Sequence, residues 1–217
     1  FDSFIHLFWV DTNNWKSKNH LEFNLPLSKK IIKKISSQGL KNITVLGTCL
    51  EYGLVEGVLN ENQIEFPHTN YSLGKLKLLK LLTEMSMNNQ INLNWLRLFY
   101  VYGKDQPEET IYGSLKKSIK NNKRSFDMSE GNQIRDYLEI SKAIEIIEKI
   151  ACKKKNLGVI NVCSGKGEAL KSHVRKWVKE ISPESKIELN FGYYPYRKDE
   201  PFSFWGDVKK LNKILES

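Results

Sequence analysis

The sequence has few of the residues that build disulfide scaffolds and metal centres. Its 217 residues include three cysteines and four histidines. The cysteines form no Cys-x-x-Cys pair, and neither residue type shows the spacing of a zinc site. We therefore predict that the protein binds no metal and has no disulfide framework. A reducing, cytoplasmic compartment suits such a chain.

Long hydrophobic runs are also missing. No apolar stretch approaches the roughly 20 residues that a helix needs to cross a bilayer, and the start has no signal-peptide pattern. We predict that the protein has no membrane partner. The chain begins with Phe1 and already has the pattern of a strand at Phe4. We interpret this start as the middle of a longer protein whose N-terminal part is missing.

Acidic residues are outnumbered by basic ones, 25 against 34, which gives a formal net charge of +9. Such an excess is compatible with nucleic-acid binding. The basic residues are dispersed, however, and the tight runs at positions 29–30, 33–34 and 153–155 are typical of solvated helix faces or helix ends. We predict no nucleic-acid partner, because a basic cleft for a small anionic molecule explains the same charge.

The apolar pattern alternates between strands and helices. It predicts strands at 4–10, 43–46, 93–100, 159–162 and 187–191. It predicts helices at 24–37, 70–87, 110–120, 141–154, 170–181 and 208–215. This alternation indicates an α/β fold around a parallel sheet, which binds ligands at the carboxyl ends of its strands.

Four pairs with the spacing Tyr-x-x-x-Lys occur, so the spacing alone selects none of them. They are Tyr71–Lys75, Tyr100–Lys104, Tyr112–Lys116 and Tyr194–Lys198. Tyr71 and Lys75 open a predicted helix downstream of a buried strand that ends at Thr48, whereas Tyr112 is predicted to lie on a surface helix. A lysine cation favours the phenolate, and a threonine hydroxyl can hold a substrate oxygen against the phenol. The trio fits hydride exchange between a carbinol or ketone and a nicotinamide. The alternative is a half-buried tyrosine beside a solvated lysine.

Six segments, taken in order, resemble the extended short-chain dehydrogenase/reductase family, the NAD-dependent epimerase/dehydratases that act on nucleotide sugars. They are FIHLFW, VLGTCLEYG, NYSLGK, WLRLFYVYG, NQIRDYLEIS and GVINVCSG, and the tail YRKDEPFSFWGDVKKLNKIL resembles the family's closing segment. The segment GTCLEYG is most similar to reductases of nucleotide-linked 4-keto-6-deoxy sugars. Dehydratases of the family usually carry an acidic pair after the catalytic Ser or Thr. Cys49 and Leu50 stand there in this chain, so dehydration is disfavoured.

The resemblance implies a Rossmann-type parallel sheet flanked by helices, with its first βαβαβ part missing, and a small C-terminal substrate-binding lobe. Residues 1–103 are then the C-terminal part of a dinucleotide-binding domain. Residues 104–217 are mainly substrate-binding, with 136–164 returning to the Rossmann domain. The sequence has no Gly-x-x-Gly-x-x-Gly turn of the kind that cradles the cofactor pyrophosphate in this family. We therefore expect a fragment, or else a non-catalytic nucleotide-sugar-binding relic.

The resemblance also implies an activity and its residues. The expected protein is an NAD(P)-dependent oxidoreductase that acts on a nucleotide sugar by 4-keto reduction or 4-epimerisation, with NAD or NADP as cofactor, and a homodimer is compatible with the family. Tyr71 is the expected acid/base, Lys75 lowers its pKa, and Thr48 anchors the substrate oxygen. Cofactor contacts are expected from Leu7, Phe8, Trp9, Asn24, Tyr71, Lys75 and Phe99, and substrate contacts from Thr48, Cys49, Arg135, Asn161 and Arg197.

Several of these residues have an alternative structural interpretation. Arg135 could instead pair with Asp136 on the surface, and Asn161 could be a buried structural asparagine. Asn24 could fix a backbone near the cofactor or simply start a helix. Trp9, like its neighbour Phe8, is bulky and could narrow the cofactor cleft.

Overall fold

The computed structural model describes residues 2–88, 90–197 and 200–216. Its strands, in chain order, are β1 Ser3–His6, β2 Asn42–Thr48, β3 Gly57–Leu59, β4 Asn92–Leu98, β5 Tyr100–Tyr102, β6 Ser125–Asp127, β7 Ile134–Arg135, β8 Tyr137–Glu139, β9 Gly158–Val162, β10 Glu168–Ala169, β11 Glu188–Asn190 and β12 Phe204–Gly206. The helices are α1 Leu25–Ser37, α2 Asn70–Met87, α3 Ile111–Lys120, α4 Ile140–Cys152, α5 Leu170–Ile181 and α6 Lys209–Glu216. None of these helices has the length and apolar character needed to span a bilayer.

A four-stranded parallel sheet forms the centre of the fold. Its strand order is β1-β2-β4-β9, and every neighbouring pair runs parallel. Because side chains alternate across a strand, Val45 and Trp95 face one core with α1 and α2, while Leu46 and Leu96 face another with α4 and α6. The helices therefore cover both faces, and the predicted Rossmann-type α/β fold is confirmed.

The parallel strands bring their carboxyl ends to one edge of this sheet. The four strands end at His6, Thr48, Leu98 and Val162. Polar and catalytic candidates follow directly after these ends, so this edge is where a ligand site is expected.

Two strand predictions were wrong at their ends. The first strand stops at His6 rather than at Val10, because the Asn24 amide bonds both the N–H and the C=O of Val10 at 3.0 Å and removes them from the sheet ladder. The strand predicted at 93–100 splits at Phe99 into β4 and β5. The second piece leaves the main sheet and pairs with β8.

A second group of elements builds a smaller core beside the sheet. Strands β6 and β11 pair in parallel, and β7 pairs with β10 in the antiparallel sense. Helices α3 and α5 pack Tyr112, Leu115 and Trp177 together there. Tyr112 is thus buried, and its predicted place on a surface helix was wrong. The division of the chain into two domains remains a prediction.

Asp136 ties the two groups together. Its fully buried carboxylate accepts the N–H groups of Ser164 at 2.7 Å, Gly165 at 2.9 Å and Gly206 at 3.3 Å. These donors lie just after β9 and at the end of β12. The alternative prediction of a surface pair between Arg135 and Asp136 was therefore wrong, since Asp136 binds backbone and Arg135 binds Glu200 instead.

We predict that Asp136→Asn lowers the free energy of unfolding by about 2–4 kcal/mol, because an amide offers one acceptor oxygen and turns an N–H donor towards other donors. Urea denaturation measures the change. Asp105→Asn is the matched control, since Asp105 is exposed and has a φ of 70°, which asparagine tolerates. A loss under about 0.5 kcal/mol in Asp136→Asn would show that the carboxylate does not hold these segments.

Candidate active site

Thr48 stands at the end of β2, where the chain turns into a short 3₁₀ turn at Cys49–Tyr52. The turn is closed by a reciprocal cap: the Thr48 hydroxyl accepts the Leu50 N–H at 3.3 Å, and the Glu51 carboxylate accepts the Thr48 N–H at 2.9 Å. This arrangement satisfies the free amides of the turn. It also fixes the backbone from which the Thr48 hydroxyl projects.

Glu51 is fully buried, and two side chains of β4 donate hydrogen bonds to its carboxylate. Arg97 donates Nε to its carboxylate at 2.7 Å, and the Trp95 indole N–H lies 3.1 Å from it. Burial raises the pKa of the Glu51 carboxyl, and the Arg97 cation opposes that rise. Position 47 has to be glycine, because a Cβ there would lie 2.2 Å from Trp95 Nε1 and 2.7 Å from a Glu51 oxygen.

Tyr71 reaches the same edge from the first turn of α2. Thr69 caps this helix by accepting the Ser72 N–H at 3.1 Å. Tyr71 packs against the core cluster that contains Cys49 and Leu50, the residues directly after Thr48, and the Thr48 side chain acts to lower the pKa of the Tyr71 phenol. Burial raises the pKa of the Tyr71 phenol. The lowering of that pKa by Lys75 remains a prediction.

Lys75 lies one turn further along α2 and is 3% exposed. Its Nζ donates to the Leu46 carbonyl at 2.7 Å and lies 5.9 Å from the centre of the Tyr71 ring. Burial lowers the pKa of Lys75 to about 7, while the Glu51 carboxylate acts in the opposite direction. The Lys75 ammonium therefore changes charge near neutral pH.

The segment after β1 covers this pair. Trp9 lies over Lys75, with Nζ 4.1 Å from its ring centre, whereas Leu7 is 64% exposed at the rim and Phe8 is also exposed. Asn24 holds the segment through Val10. Phe99 is buried in a core cluster with Cys49 and Phe204, against which Tyr71 also packs, and its contact with the cofactor remains a prediction.

His6 closes the bottom of the same region. It is 1% exposed, and neither ring nitrogen has a hydrogen-bond partner among the described residues. Burial and the Lys75 cation lower the pKa of His6 to about 4, so the ring is neutral at physiological pH.

The residues at this edge fit the nicotinamide end of a dinucleotide. A lysine ammonium has three donors, and a single acceptor, the Leu46 carbonyl, is seen for Lys75 among the described residues. Thr48 and Tyr71 place a hydroxyl and a phenol next to each other, which suits proton transfer at one substrate oxygen.

Two predicted substrate residues meet at a common carboxylate. Arg135 is buried and donates Nη2 to Glu200 at 2.9 Å, while the 71%-exposed Arg197 side chain pairs with the other Glu200 oxygen at 3.2 Å. Arg135 also donates Nη1 to the Phe202 carbonyl at 3.1 Å. The structure thus gathers two guanidinium groups around one anion.

Asn161 and Cys49 lie deeper than expected. Asn161 is fully buried, accepts the Tyr52 hydroxyl at 2.7 Å and donates to the Leu59 carbonyl at 2.9 Å. These partners support the structural alternative for Asn161 rather than a contact with substrate. Cys49 is buried in the core, and burial raises the pKa of its thiol to about 12.

Three residues that contact the predicted site residues were not predicted from the sequence. Glu51 lies inside the segment GTCLEYG, where an acidic residue between apolar neighbours was a usable signal of a buried ion pair. His20 and Glu200 gave no such signal, because their partners Trp9 and Arg135 are distant in sequence.

Comparisons with known proteins agree on one family. The sequence profile described as "NAD dependent epimerase/dehydratase family" matches residues 1–163. One relative is the dTDP-6-deoxy-L-talose 4-dehydrogenase (NAD(+)) of Aggregatibacter actinomycetemcomitans, 28% identical over 93% of this chain and 74% of its own length. Another is UDP-arabinose 4-epimerase 1 of Arabidopsis thaliana, 23% identical over 85% of this chain and 49% of its own length.

Solved structures share the fold. The UDP-N-acetylglucosamine 4-epimerase of Methanobrevibacter ruminantium M1, in complex with UDP-N-acetylmuramic acid, superposes with a TM-score of 0.86 at 19% identity, covering 98% of this chain and 70% of that one. The UDP-glucuronic acid 4-epimerase of Bacillus cereus, in complex with UDP-glucuronic acid and NAD, gives a TM-score of 0.77 at 23% identity, covering 92% and 64%.

The chain spans about half to three quarters of the length of these relatives. Their names describe enzymes that act on nucleotide sugars, as the sequence resemblance predicts. Because the family profile covers residues 1–163 of the 217, the chain belongs to the NAD-dependent epimerase/dehydratase family.

Proposed function

We propose that this protein is an NAD-dependent oxidoreductase that acts on carbon 4 of a nucleotide sugar, by reduction of a 4-keto group or by 4-epimerisation. The observation that carries the proposal is the meeting of Thr48, Tyr71 and Lys75 at the carboxyl edge of the sheet. Support comes from the relatives, since one is named a 4-dehydrogenase with NAD(+) and another a 4-epimerase. The family description and the name of the 4-dehydrogenase favour NAD over NADP.

Each side chain has one task in this reaction. The Thr48 hydroxyl binds the oxygen on carbon 4 of the sugar and turns it towards Tyr71. The Tyr71 phenol gives a proton to that oxygen in reduction and takes one in oxidation. The Lys75 ammonium stabilises the phenolate that remains. The nicotinamide, when bound, supplies or accepts the hydride.

The substrate diphosphate is assigned to the guanidinium groups around Glu200. Arg135 and Arg197 already share one carboxylate, and guanidinium forks bind phosphate oxygens in the same bidentate manner. A diphosphate would therefore compete with Glu200 for Arg197, which is the exposed partner.

The alternative is a nucleotide-sugar-binding relic without turnover. It predicts that the protein binds nucleotide sugars but not NADH. The buried Lys75 argues against it, because a buried ammonium is costly to keep unless it has a function.

We predict that Tyr71→Phe lowers kcat by at least about 100-fold, because it removes the proton carried by the phenol. Turnover of a nucleotide-linked 4-keto sugar is followed by NADH oxidation with protein made from the complete coding sequence. Tyr112→Phe is the matched control, since Tyr112 has the same spacing to Lys116 and lies in the core away from this site. Full activity in Tyr71→Phe would refute the assigned role.

Arg197→Gln is expected to raise KM for the nucleotide sugar by about tenfold and leave kcat within about twofold, because it removes one charge-assisted contact to the diphosphate. Arg175→Gln serves as control, since Arg175 is exposed on α5 over Phe191. An unchanged KM in Arg197→Gln would assign the diphosphate elsewhere.

Lys75→Met is expected to abolish turnover but raise the free energy of unfolding at pH 7 by about 1–3 kcal/mol, because a buried cation is replaced by an apolar chain. Burial lowers the Lys75 pKa from 10.5 to about 7. The unfolded wild type therefore binds more protons between pH 7 and 10.5, and its stability rises with pH through that window.

The gain in Lys75→Met should consequently shrink as pH rises from 7 to 10. Urea denaturation at pH 7, 8.5 and 10 measures it. Lys80→Met is the control because Lys80 is exposed on the same helix. Destabilisation of Lys75→Met at pH 7 would mean that the Lys75 cation is a net stabilising element.

A further inference from the structure

The Lys75 ammonium has a different kind of neighbour on each side, a carbonyl oxygen and an aromatic ring. On one side Nζ donates to the Leu46 carbonyl at 2.7 Å, and on the other it lies 4.1 Å above the centre of the Trp9 ring. Trp9 itself is almost completely buried. An aromatic face attracts a cation most strongly where water is excluded, and this contact meets that condition.

The Trp9 ring is held in place by specific bonds. Its indole N–H donates to His20 Nδ1 at 2.9 Å, and the two rings are nearly parallel, at 16°. His20 is fully buried, and its Nε2 lies 2.8 Å from the Asn14 carbonyl oxygen. The indole is therefore anchored at its polar edge and offers its face to Lys75.

Helix α2 is shaped to admit this ring. Gly74 precedes Lys75, and a Cβ at that position would lie 3.2 Å from Trp9 Cζ2 and 2.9 Å from the His20 carbonyl oxygen. The absence of a side chain at Gly74 lets both Trp9 and the turn His20–Asn24 pack closely against α2. The same approach brings the Trp9 ring edge-on to Tyr71, with ring centres 6.4 Å apart.

We propose that Trp9, anchored by His20, is a positioning residue that holds the Lys75 ammonium in its charged form beside Tyr71. The catalytic meaning of this contact rests on the proposed function, whereas the contact itself does not. Without the ring, Lys75 would keep one acceptor in an apolar enclosure, and its charged form would be less populated at neutral pH.

Other charged and titratable groups face Lys75 and have to stay constant in a test. Glu51, in the turn after β2, favours the cation. His6 comes from β1, and its pKa is lowered by Lys75. Tyr71 lies on α2 itself, and His20 stands behind Trp9. A test should therefore change the electron density on the face of the indole ring and leave the shape of the ring unchanged.

Biosynthetic replacement of tryptophan by 5-fluorotryptophan meets this requirement, because fluorine withdraws charge from the ring face and adds little volume. The pKa of Lys75 is read by NMR from the Cε and Nζ shifts of isotope-labelled lysine, with Lys75→Arg for assignment. We expect the Lys75 pKa to fall by about 0.3 in the fluorinated chain, and Lys80 on the same helix to be unchanged.

The Trp9→Phe chain, with and without fluorotryptophan, is the matched control. Its Lys75 pKa should not change on fluorination. The other four of the five tryptophans are still fluorinated in this chain, so a shift that is seen only in the wild type comes from the ring of Trp9. No shift, or an upward shift, in the fluorinated wild type would overturn the proposal, since a ring that only fills space leaves the Lys75 pKa unchanged.

The kinetic counterpart uses protein from the complete coding sequence. Its pH–rate profile should move with the Lys75 pKa on fluorination, in the direction and by the amount seen by NMR. If the NMR shift occurs but Tyr71→Phe keeps its activity, the proposed function fails and the contact stands. If Tyr71→Phe is inactive and the shift is absent, the role of Trp9 fails alone.

Discussion

The buried ion pair between Glu51 and Arg97 is the interaction on which the candidate site depends. Its carboxylate fixes the Thr48 N–H, and its guanidinium projects from β4 in the centre of the sheet. A single unpaired charge at this depth would cost several kcal/mol. Glu51 has Arg97 as its cationic partner, and Arg97 also pairs with Glu65. Through this pair the rigid sheet sets the place of the turn Cys49–Tyr52, and with it the place of the Thr48 hydroxyl.

Helix α2 supplies the other half of the site, and a different interaction holds it in place. It is held by packing of its leucines against the sheet, and its first turns carry Tyr71 and Lys75 to the edge where Thr48 projects. Burial then acts on both groups in the same sense, because it disfavours charge: it raises the pKa of Tyr71 and lowers that of Lys75. The Trp9 face and the Glu51 carboxylate both oppose this effect at Lys75. The site is thus a balance between desolvation and a few placed charges.

The sequence predicted the local elements well where a strong period was present, as in α2 and α5, whose bounds agree with the prediction. It identified Thr48, Tyr71 and Lys75 from context, and the structure brings these three together. It failed where a tertiary contact overrides local preference. The strand at 4–10 is cut short by the Asn24 amide. The sequence left two interpretations of Asn161 open, and its buried bonds to Tyr52 and Leu59 favour the structural one. The Glu200 bridge joins residues 65 positions apart, which no local pattern encodes.

The most direct test of the central claim is to follow a labelled hydride. Protein from the complete coding sequence is incubated with a nucleotide-linked 4-keto-6-deoxy sugar and NADH deuterated at C4 of the nicotinamide, and the sugar is examined by NMR and mass spectrometry. Reduction of the keto group, by a reductase or in the reducing half-reaction of an epimerase, moves one hydride from C4 of the nicotinamide to carbon 4 of the sugar. With deuterium at both C4 positions of NADH we therefore expect one deuterium at carbon 4 of the sugar, and none when Tyr71 is replaced by Phe. A sugar that is converted without deuterium at carbon 4, or a label that is retained in Tyr71→Phe, would contradict the account.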